Sequence, residues 1–172
     1  ERVETSQAIQ TQPLVSIIIP ARNEEKSIAA CLESVLKDSY SNKEIIVVDD
    51  ASTDHTSEIL RRFPVTIIRN AKPLGPSSTR NLGVARAKGE IIAFIDAHCI
   101  ITNSCWIQKF LQHLQDPQVG AVAGYFTRQP TRRGLTLTFR QPKPEQRLIK
   151  SGNTAFRKTV FEQVGGCDPK TE

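Results

Sequence analysis

The chain is poor in cysteine. Its four residues (Cys31, Cys99, Cys105, Cys167) show neither zinc-type spacing nor a dense disulfide framework. A zinc module and a disulfide-stapled secreted domain are thereby set aside. Cys31 falls on a helix face and Cys99 follows an apolar run, so reduced, buried thiols and a cytoplasmic setting are expected. No stretch approaches the roughly 18 apolar residues of a membrane-spanning helix, and no signal-peptide pattern is present. Aromatic residues amount to 6% and are not interleaved with basic ones. That removes the stacking platform a nucleic-acid binder would need, and no nucleic-acid partner is expected. Neither Gly-x-Gly-x-x-Gly nor Gly-Lys-Ser/Thr occurs, so dinucleotide and P-loop fingerprints are missing. There is no internal repeat.

What is present is an ordinary globular composition, 38% hydrophobic and 24% charged over 172 residues, enough for one domain with a real core. The formal charge of +5 is local. Between Arg128 and Lys150 stand seven basic residues and one acid, Glu145, a segment of +6 that leaves −1 for the rest. This stretch reads as a solvated loop, a site for an anionic acceptor, or a peripheral contact with an anionic membrane, at the inner face if the last applies.

Apolar runs and breakers alternate along the chain. Residues Glu1 to Gln12 are a polar tail. Leu14–Ile19 reads as a buried strand stopped by Pro20, and Asn23 as the cap of a helix with core face Ile28, Cys31, Leu32, Val35 and Leu36. Glu44–Val48 is a second buried strand, followed by a helix from Asp54 to Phe63. Val65–Ile68 is a third strand. Gly75-Pro76 opens a helix that Gly89 ends. Ile91–Ile95 is a strand buried on both faces. Asn103 caps a helix through Leu114, and Val119–Gly124 is a further strand. Leu135–Phe139 alternates as one more, with an antiparallel sense open to it. Ser151–Phe156 leads into a short helix near Lys158–Val164, closed by Gly165-Gly166. Strand and helix in alternation predict an α/β fold, a mostly parallel sheet flanked by helices on both faces.

Polar clusters then fall at the carboxyl ends of three strands: Pro20–Glu25, Asp49–Asp54 and Asp96–His98. In an open α/β sheet such ends share one crevice. The expected crevice holds at least four carboxylates, Arg22 and a histidine. Asp96 and His98 are two apart in a segment that begins extended, so both can face one side and hold a divalent metal. Asp49, Asp50 and Asp54 read either as turn and cap residues or as a grip on a base or ribose. Arg80 reads as a solvated helix charge or as a phosphate contact near a helix start.

Together these residues resemble a known family. Val15–Glu25, Ile45–Asp54, Gly75–Gly83, Asp96-Ala97-His98, and Gly152–Arg157 through Gly165–Asp168 closely resemble family 2 glycosyltransferases of the GT-A fold, over residues 14 to 168. The resemblance implies an inverting, metal-dependent transfer of sugar from a nucleotide-diphospho-sugar, by default a UDP-sugar, in polysaccharide or cell-envelope biosynthesis. Pro20, Ala21, Arg22 and Glu24 would line the nucleotide pocket, with Asp50 on the base and Arg80 nearby. Asp96 and Ala97 would lie at the ribose, and Asp96 and His98 would hold Mn2+ or Mg2+. Gly152 and Asn153 would border donor sugar and acceptor. The acceptor would be a glycan, lipid or protein.

Two departures from the family pattern stand out. His98 replaces the usual second carboxylate, which favours manganese. The family's carboxylate base is expected beyond Glu172, so residues 14–172 read as a C-terminally incomplete domain after a tail of residues 1–13. Such a piece is expected to bind nucleotide and transfer sugar poorly. A nucleotidyltransferase remains an alternative, although its glycine-rich basic loop is missing after Pro20. A non-catalytic nucleotide-sugar-binding module is another.

Overall fold

In the computed structural model, residues 12–131, 134–138 and 152–170 are described. Nine strands and five helices follow one another among them: β1 (Val15–Ala21), α1 (Ile28–Leu36), β2 (Lys43–Asp49), α2 (Thr56–Leu60), β3 (Thr66–Arg69), α3 (Pro76–Arg86), β4 (Ile91–Ile95), β5 (Cys99–Ile101), α4 (Trp106–Leu114), β6 (Ala121–Ala123), β7 (Tyr125–Thr131), β8 (Gly134–Thr138), β9 (Asn153–Arg157) and α5 (Lys158–Gln163). Six strands form the main sheet in the order β3-β2-β1-β4-β9-β6, and β5-β8-β7 form a small second sheet.

The first four strands of the main sheet run parallel. β9 then pairs antiparallel with both β4 and β6. The α/β fold and the mostly parallel sheet of the sequence reading hold, with a mixed edge. That edge corrects the lead-in read over Ser151–Phe156. Asn153 to Arg157 is a strand inserted between β4 and β6, four of its five residues buried. Its polar start, Asn153-Thr154, hid it from a search for apolar runs. Val119–Gly124 shortens to Ala121–Ala123 at the sheet edge.

Side chains alternate across the sheet and sort into two cores. Ile17, Ile19, Val47, Ala93 and Ile95 pack against α1, α2 and α4 through Ile28, Leu32, Leu60, Trp106 and Phe110. Ile18, Ile46, Val48, Ile92 and Phe94 pack on the other face against Val84 of α3 and Phe161 of α5. Helix α3 sits close because Gly83 has no side chain. A Cβ there would lie 2.4 Å from Ile18 Cγ2 and 3.3 Å from Val48 Cγ2. Gly83→Ala is therefore expected to destabilise the fold by about 1–3 kcal/mol, the usual cost of overpacking. Urea unfolding of wild type and variant would measure it; an unchanged midpoint would refute the close-packing account.

Helix α4 begins with a cap the sequence did not advertise. Asp38, 4% exposed, accepts the N–H of Ile107 at 3.2 Å and that of Tyr40 at 2.9 Å. It brings a carboxylate from the turn after α1 to the N-terminus of a helix far along the chain, where the dipole favours an anion. Asn103 contributes only locally, accepting from the Cys105 N–H at 2.8 Å.

Strand order reverses beside β1, since β2 follows on one side and β4 returns on the other. Such a switch point opens a crevice at the carboxyl ends of the two strands.

Candidate functional site

The loops leaving β1 and β2 are laced into one rim. Asn23 takes φ of 54° and Ala51 φ of 56°, the left-handed region that non-glycine residues enter when surroundings hold them there. The holding bonds run in both directions. Asn23 N–H donates to Ser52 Oγ at 3.0 Å, and Asn23 Oδ1 accepts Thr53 N–H at 2.8 Å. Glu24 N–H donates to Thr56 Oγ1 at 2.8 Å and Glu25 N–H to Asp54 Oδ2 at 3.1 Å. Glu25 Oε2 accepts the His55 N–H at 3.1 Å. The expectation that Asn23 caps the first helix is thus corrected. Helix α1 starts at Ile28, and the Asn23 side chain is committed across the rim instead. Asp54 accepts the Thr56 N–H at 3.0 Å, a turn role beside the shorter helix α2.

Below the rim lies a cleft of about 300 Å³ lined by Pro20, Ala21, Arg22 and Glu24 after β1, Asp50 after β2, Gly75, Pro76, Thr79 and Arg80 of α3 and its approach, and Asp96, Ala97 and His98 after β4. All of the residues the sequence assigned to the nucleotide and metal converge here. Gly152 and Asn153 do not reach the cleft wall. Gly152 is a neighbour of the site through its carbonyl, which accepts the Asp96 N–H at 3.3 Å. Asn153 is buried and accepts the indole N–H of Trp106 at 2.9 Å.

Three carboxylates line the cleft, fewer than the expected four or more, and each has partners. Asp49 is not among them. It lies under the rim with no exposure, accepting from Ser52 N–H at 2.9 Å, from Arg69 Nη1 at 3.1 Å and from the Ser57 hydroxyl. Asp50 is 4% exposed. It accepts from Asn70 Nδ2 at 2.7 Å, Leu74 N–H at 2.9 Å and Gly75 N–H at 3.0 Å. Burial pushes its carboxyl up, but these bonds outweigh burial and hold it below its ordinary 3.8. Asp50 therefore builds the 70–75 loop that forms one wall.

At the end of β4 the chain turns, the Cys99 N–H closing on the Asp96 carbonyl at 2.9 Å. Asp96, His98 and Cys99 each place one donor atom within 4.8 Å of the others. Such an oxygen, nitrogen and sulfur set fits a borderline divalent ion. Cys99 escaped the sequence reading, which saw a core thiol. Burial pushes that thiol to about 12, so it is protonated unless a metal displaces the proton.

His98 Nδ1 lies 3.4 Å from Glu24 Oε1. Hydrogen bonding to Glu24 raises the imidazole above its ordinary 6.5, against burial, which lowers it. Burial pushes the Glu24 carboxyl up, while bonds from His98 and from the Ser27 hydroxyl outweigh that and hold it below 4.5. With Nδ1 engaged, Nε2 is the nitrogen left for a ligand.

Arg80 is not a solvated helix charge. Its Nη2 donates to Asp96 Oδ1 at 2.8 Å, with side chains 10% and 24% exposed, and its guanidinium carbon stands 5.8 Å from the centroid of Phe94. The next residue, Asn81, holds the C-terminal turn: it accepts the Cys167 N–H and donates to the Cys167 carbonyl, each at 2.8 Å. All four cysteines are free thiols.

A profile described as "Glycosyl transferase family 2" matches residues 16–165, a span that contains every loop of the cleft. The chain belongs to this family. Among relatives of the family 2 chain, the glycosyltransferase GlyG of Streptococcus pneumoniae is 33% identical over 118 residues, 66% of this chain and 39% of GlyG. WfgD of Escherichia coli, named a UDP-Glc:alpha-D-GlcNAc-diphosphoundecaprenol beta-1,3-glucosyltransferase, is 37% identical over 102 residues, 58% of this chain and 38% of WfgD. The mannosyltransferase PcManGT from Pyrobaculum calidifontis, solved with GDP-Man and Mn2+, superposes with a TM-score of 0.78 at 23% identity, covering 94% of this chain and 49% of that one. The last likeness shows the fold. The matched stretches cover less than half the length of each of these three proteins. No helix among the described residues is long and apolar enough to cross a membrane. Most of the basic stretch Arg128–Lys150 lies outside the described residues, as do Glu172 and most of the tail.

Proposed function

We propose that this chain carries the donor-binding and metal-binding part of an inverting glycosyltransferase. The sugar would come from a nucleotide-diphospho-sugar, a UDP-sugar as first choice, and pass to an acceptor hydroxyl. The observation that carries the reading is convergence: three strand-end carboxylates, a buried guanidinium and an imidazole face one cleft in a family 2 chain. Its volume suits a small ligand. The names of WfgD, with a UDP-sugar and a lipid-linked acceptor, and of PcManGT, with GDP-Man and Mn2+, support nucleotide-sugar chemistry of this kind. Glycan, lipid and protein acceptors fit equally.

In this reading Pro20, Ala21, Arg22 and Glu24 form one wall of the nucleotide pocket. Asp50 fixes the opposite wall and presents its remaining acceptor capacity to the base. Asp96 and Ala97 meet the ribose, and Arg80 faces the phosphates. Asp96 and His98 would hold the ion, with Mn2+ favoured over Mg2+ by the imidazole and by the neighbouring thiol. Such an ion, when bound, offsets the negative charge that builds on the departing diphosphate. Glu24 fixes the imidazole so that Nε2 points to the ligand side. Gly152 sets the Asp96 backbone through its carbonyl, and Gly152 and Asn153 border the donor sugar and acceptor. The carboxylates of Glu24, Asp50 and Asp96 are all engaged, so the base that deprotonates the acceptor is assigned to none of them.

Calorimetry with UDP and with GDP, each with and without Mn2+, tests the reading. Binding that requires Mn2+ is the expected result; a folded protein that binds neither nucleotide overturns it. Asp54→Ala, which loosens the rim but leaves the cleft carboxylates in place, is expected to keep affinity close to wild type. Metal affinity should also depend on pH. A protonated imidazole cannot ligate, and the His98 value is raised, so Mn2+ affinity is expected to fall as pH drops through a point above 6.5. Titrations on both sides of neutrality would show it, and a flat profile would remove His98 from the ligand set.

A further inference from the structure

We infer that Arg80 makes metal binding at Asp96 conditional on a diphosphate: it serves as the internal cation of Asp96 and releases that carboxylate when phosphate oxygens reach the guanidinium. The inference rests on the reading of Asp96 and His98 as metal ligands.

Two observations carry it. The first is the pair itself. Arg80 Nη2 donates to Asp96 Oδ1 at 2.8 Å, and the Arg80 side chain is only 10% exposed. A divalent ion on Asp96 and His98 would meet that second cation on the same carboxylate. Charge repulsion is weakly screened at such a site. The second observation is an orphan. Among the described residues, Arg80 Nε is the one buried side-chain nitrogen or oxygen without a hydrogen-bond partner. A buried N–H left unmade is costly and calls for an acceptor. It belongs to a residue of the cleft wall.

The other carboxylates that line the cleft or lie under its rim are held by other donors. Asp49 is held by Arg69, Ser57 and Ser52. Asp50 is held by Asn70, Leu74 and Gly75, and Glu24 by His98 and Ser27. A metal ion arriving alone must therefore either share Asp96 with the guanidinium or strand it in a buried place. A diphosphate changes the balance, because once the side chain turns from Asp96 toward the cleft its oxygens can accept from Nε and from the Nη edge together. Asp96 is then free for the ion. By linkage, the factor by which diphosphate strengthens metal binding equals the factor by which metal strengthens diphosphate binding. Arg80 is thus a positioning residue that sets the order of assembly.

The test is Mn2+ titration of the 172-residue chain, followed by electron paramagnetic resonance of the free ion. Wild type, Arg80→Gln, Arg80→Met and Arg80→Lys would be compared alone, with UDP, with inorganic pyrophosphate and with uridine. Folding of each variant would be checked by circular dichroism. Arg80→Met keeps the stem against Phe94 should Arg80→Gln fold poorly. Without nucleotide, both neutral variants are expected to bind Mn2+ about tenfold tighter than wild type, equivalent to ~1.4 kcal/mol. Arg80→Lys retains the charge and should stay near wild type. UDP and pyrophosphate should strengthen Mn2+ binding to wild type more than to the neutral variants, and uridine should do neither. A merely structural arginine would not yield tighter metal binding when removed. Equal Mn2+ affinity in wild type and the neutral variants overturns the inference while leaving the metal site intact. Absence of Mn2+ binding in every protein, with or without UDP, removes the metal site and the inference with it.

Discussion

Asp96→Ala is expected to abolish Mn2+-dependent nucleotide binding and to lower stability at the same time. The affinity loss should exceed the ~10–100-fold that follows removal of a residue behind a metal ligand. Stability falls for a different reason. The substitution leaves Arg80, whose side chain is 10% exposed, without its counter-ion. Stranding a fully buried charge costs about 3–5 kcal/mol. Asp96 itself is 24% exposed, so water reaches the site and about 1–3 kcal/mol is the expected loss. Asp96→Asn separates the two effects: its amide oxygen can still accept from Arg80 Nη2, while the anionic donor is gone. Denaturant unfolding should place Asn between Ala and wild type, since it keeps the hydrogen bond but not the charge, and calorimetry should place it with Ala. Nucleotide affinity retained in both variants would dismiss the site.

Asp50→Ala should be the more damaging change to the fold. Its carboxylate accepts from one amide side chain and two backbone N–H groups of the 70–75 segment, and its removal leaves those donors in a buried place. At about 1 kcal/mol or more for each unmade bond, a loss of ~3 kcal/mol or greater is expected, with the start of α3 and the cleft wall disturbed. The same group imposes an acid limit. Its folded value lies below the ordinary 3.8, so the unfolded chain takes up a proton first as pH falls. The contribution of Asp50 is complete above the unfolded value and is lost as pH drops through the lower folded one. Unfolding free energies measured across the acid range should fall less steeply in Asp50→Asn than in wild type; identical slopes would refute the assignment.

How much of this could be read from the chain depended on where the signal lay. Buried parallel strands announce themselves as apolar runs, so Val15–Ala21, Lys43–Asp49 and Ile91–Ile95 were legible, and with them the strand-end crevice. The family resemblance, carried by Val15–Glu25 and Ile45–Asp54, is matched by the family profile over residues 16–165. β9 was illegible because half its burial is polar: Asn153 is satisfied by Trp106, a partner 47 positions away that no local pattern reveals. Asp38 was equally silent. A carboxylate in a turn looks solvated until the fold brings Ile107 to it. Arg80 shows the same limit, since helix position alone gave no hint of the ion pair with Asp96. Asn23 misled for a local reason, as its side chain suits a cap, but the chain there turns left-handed and the rim claims it.

The lacing of the two rim loops bears on how this protein can change over time. Asn23 and Glu25 on one loop exchange bonds with Ser52, Thr53, Asp54 and His55 on the other, so neither segment is a free variable. A drift toward a different ligand would have to alter both stretches together, about thirty positions apart in the chain. Transplanting only residues 22–25 from a cousin with another donor should yield a poorer binder than swapping them along with residues 51–56.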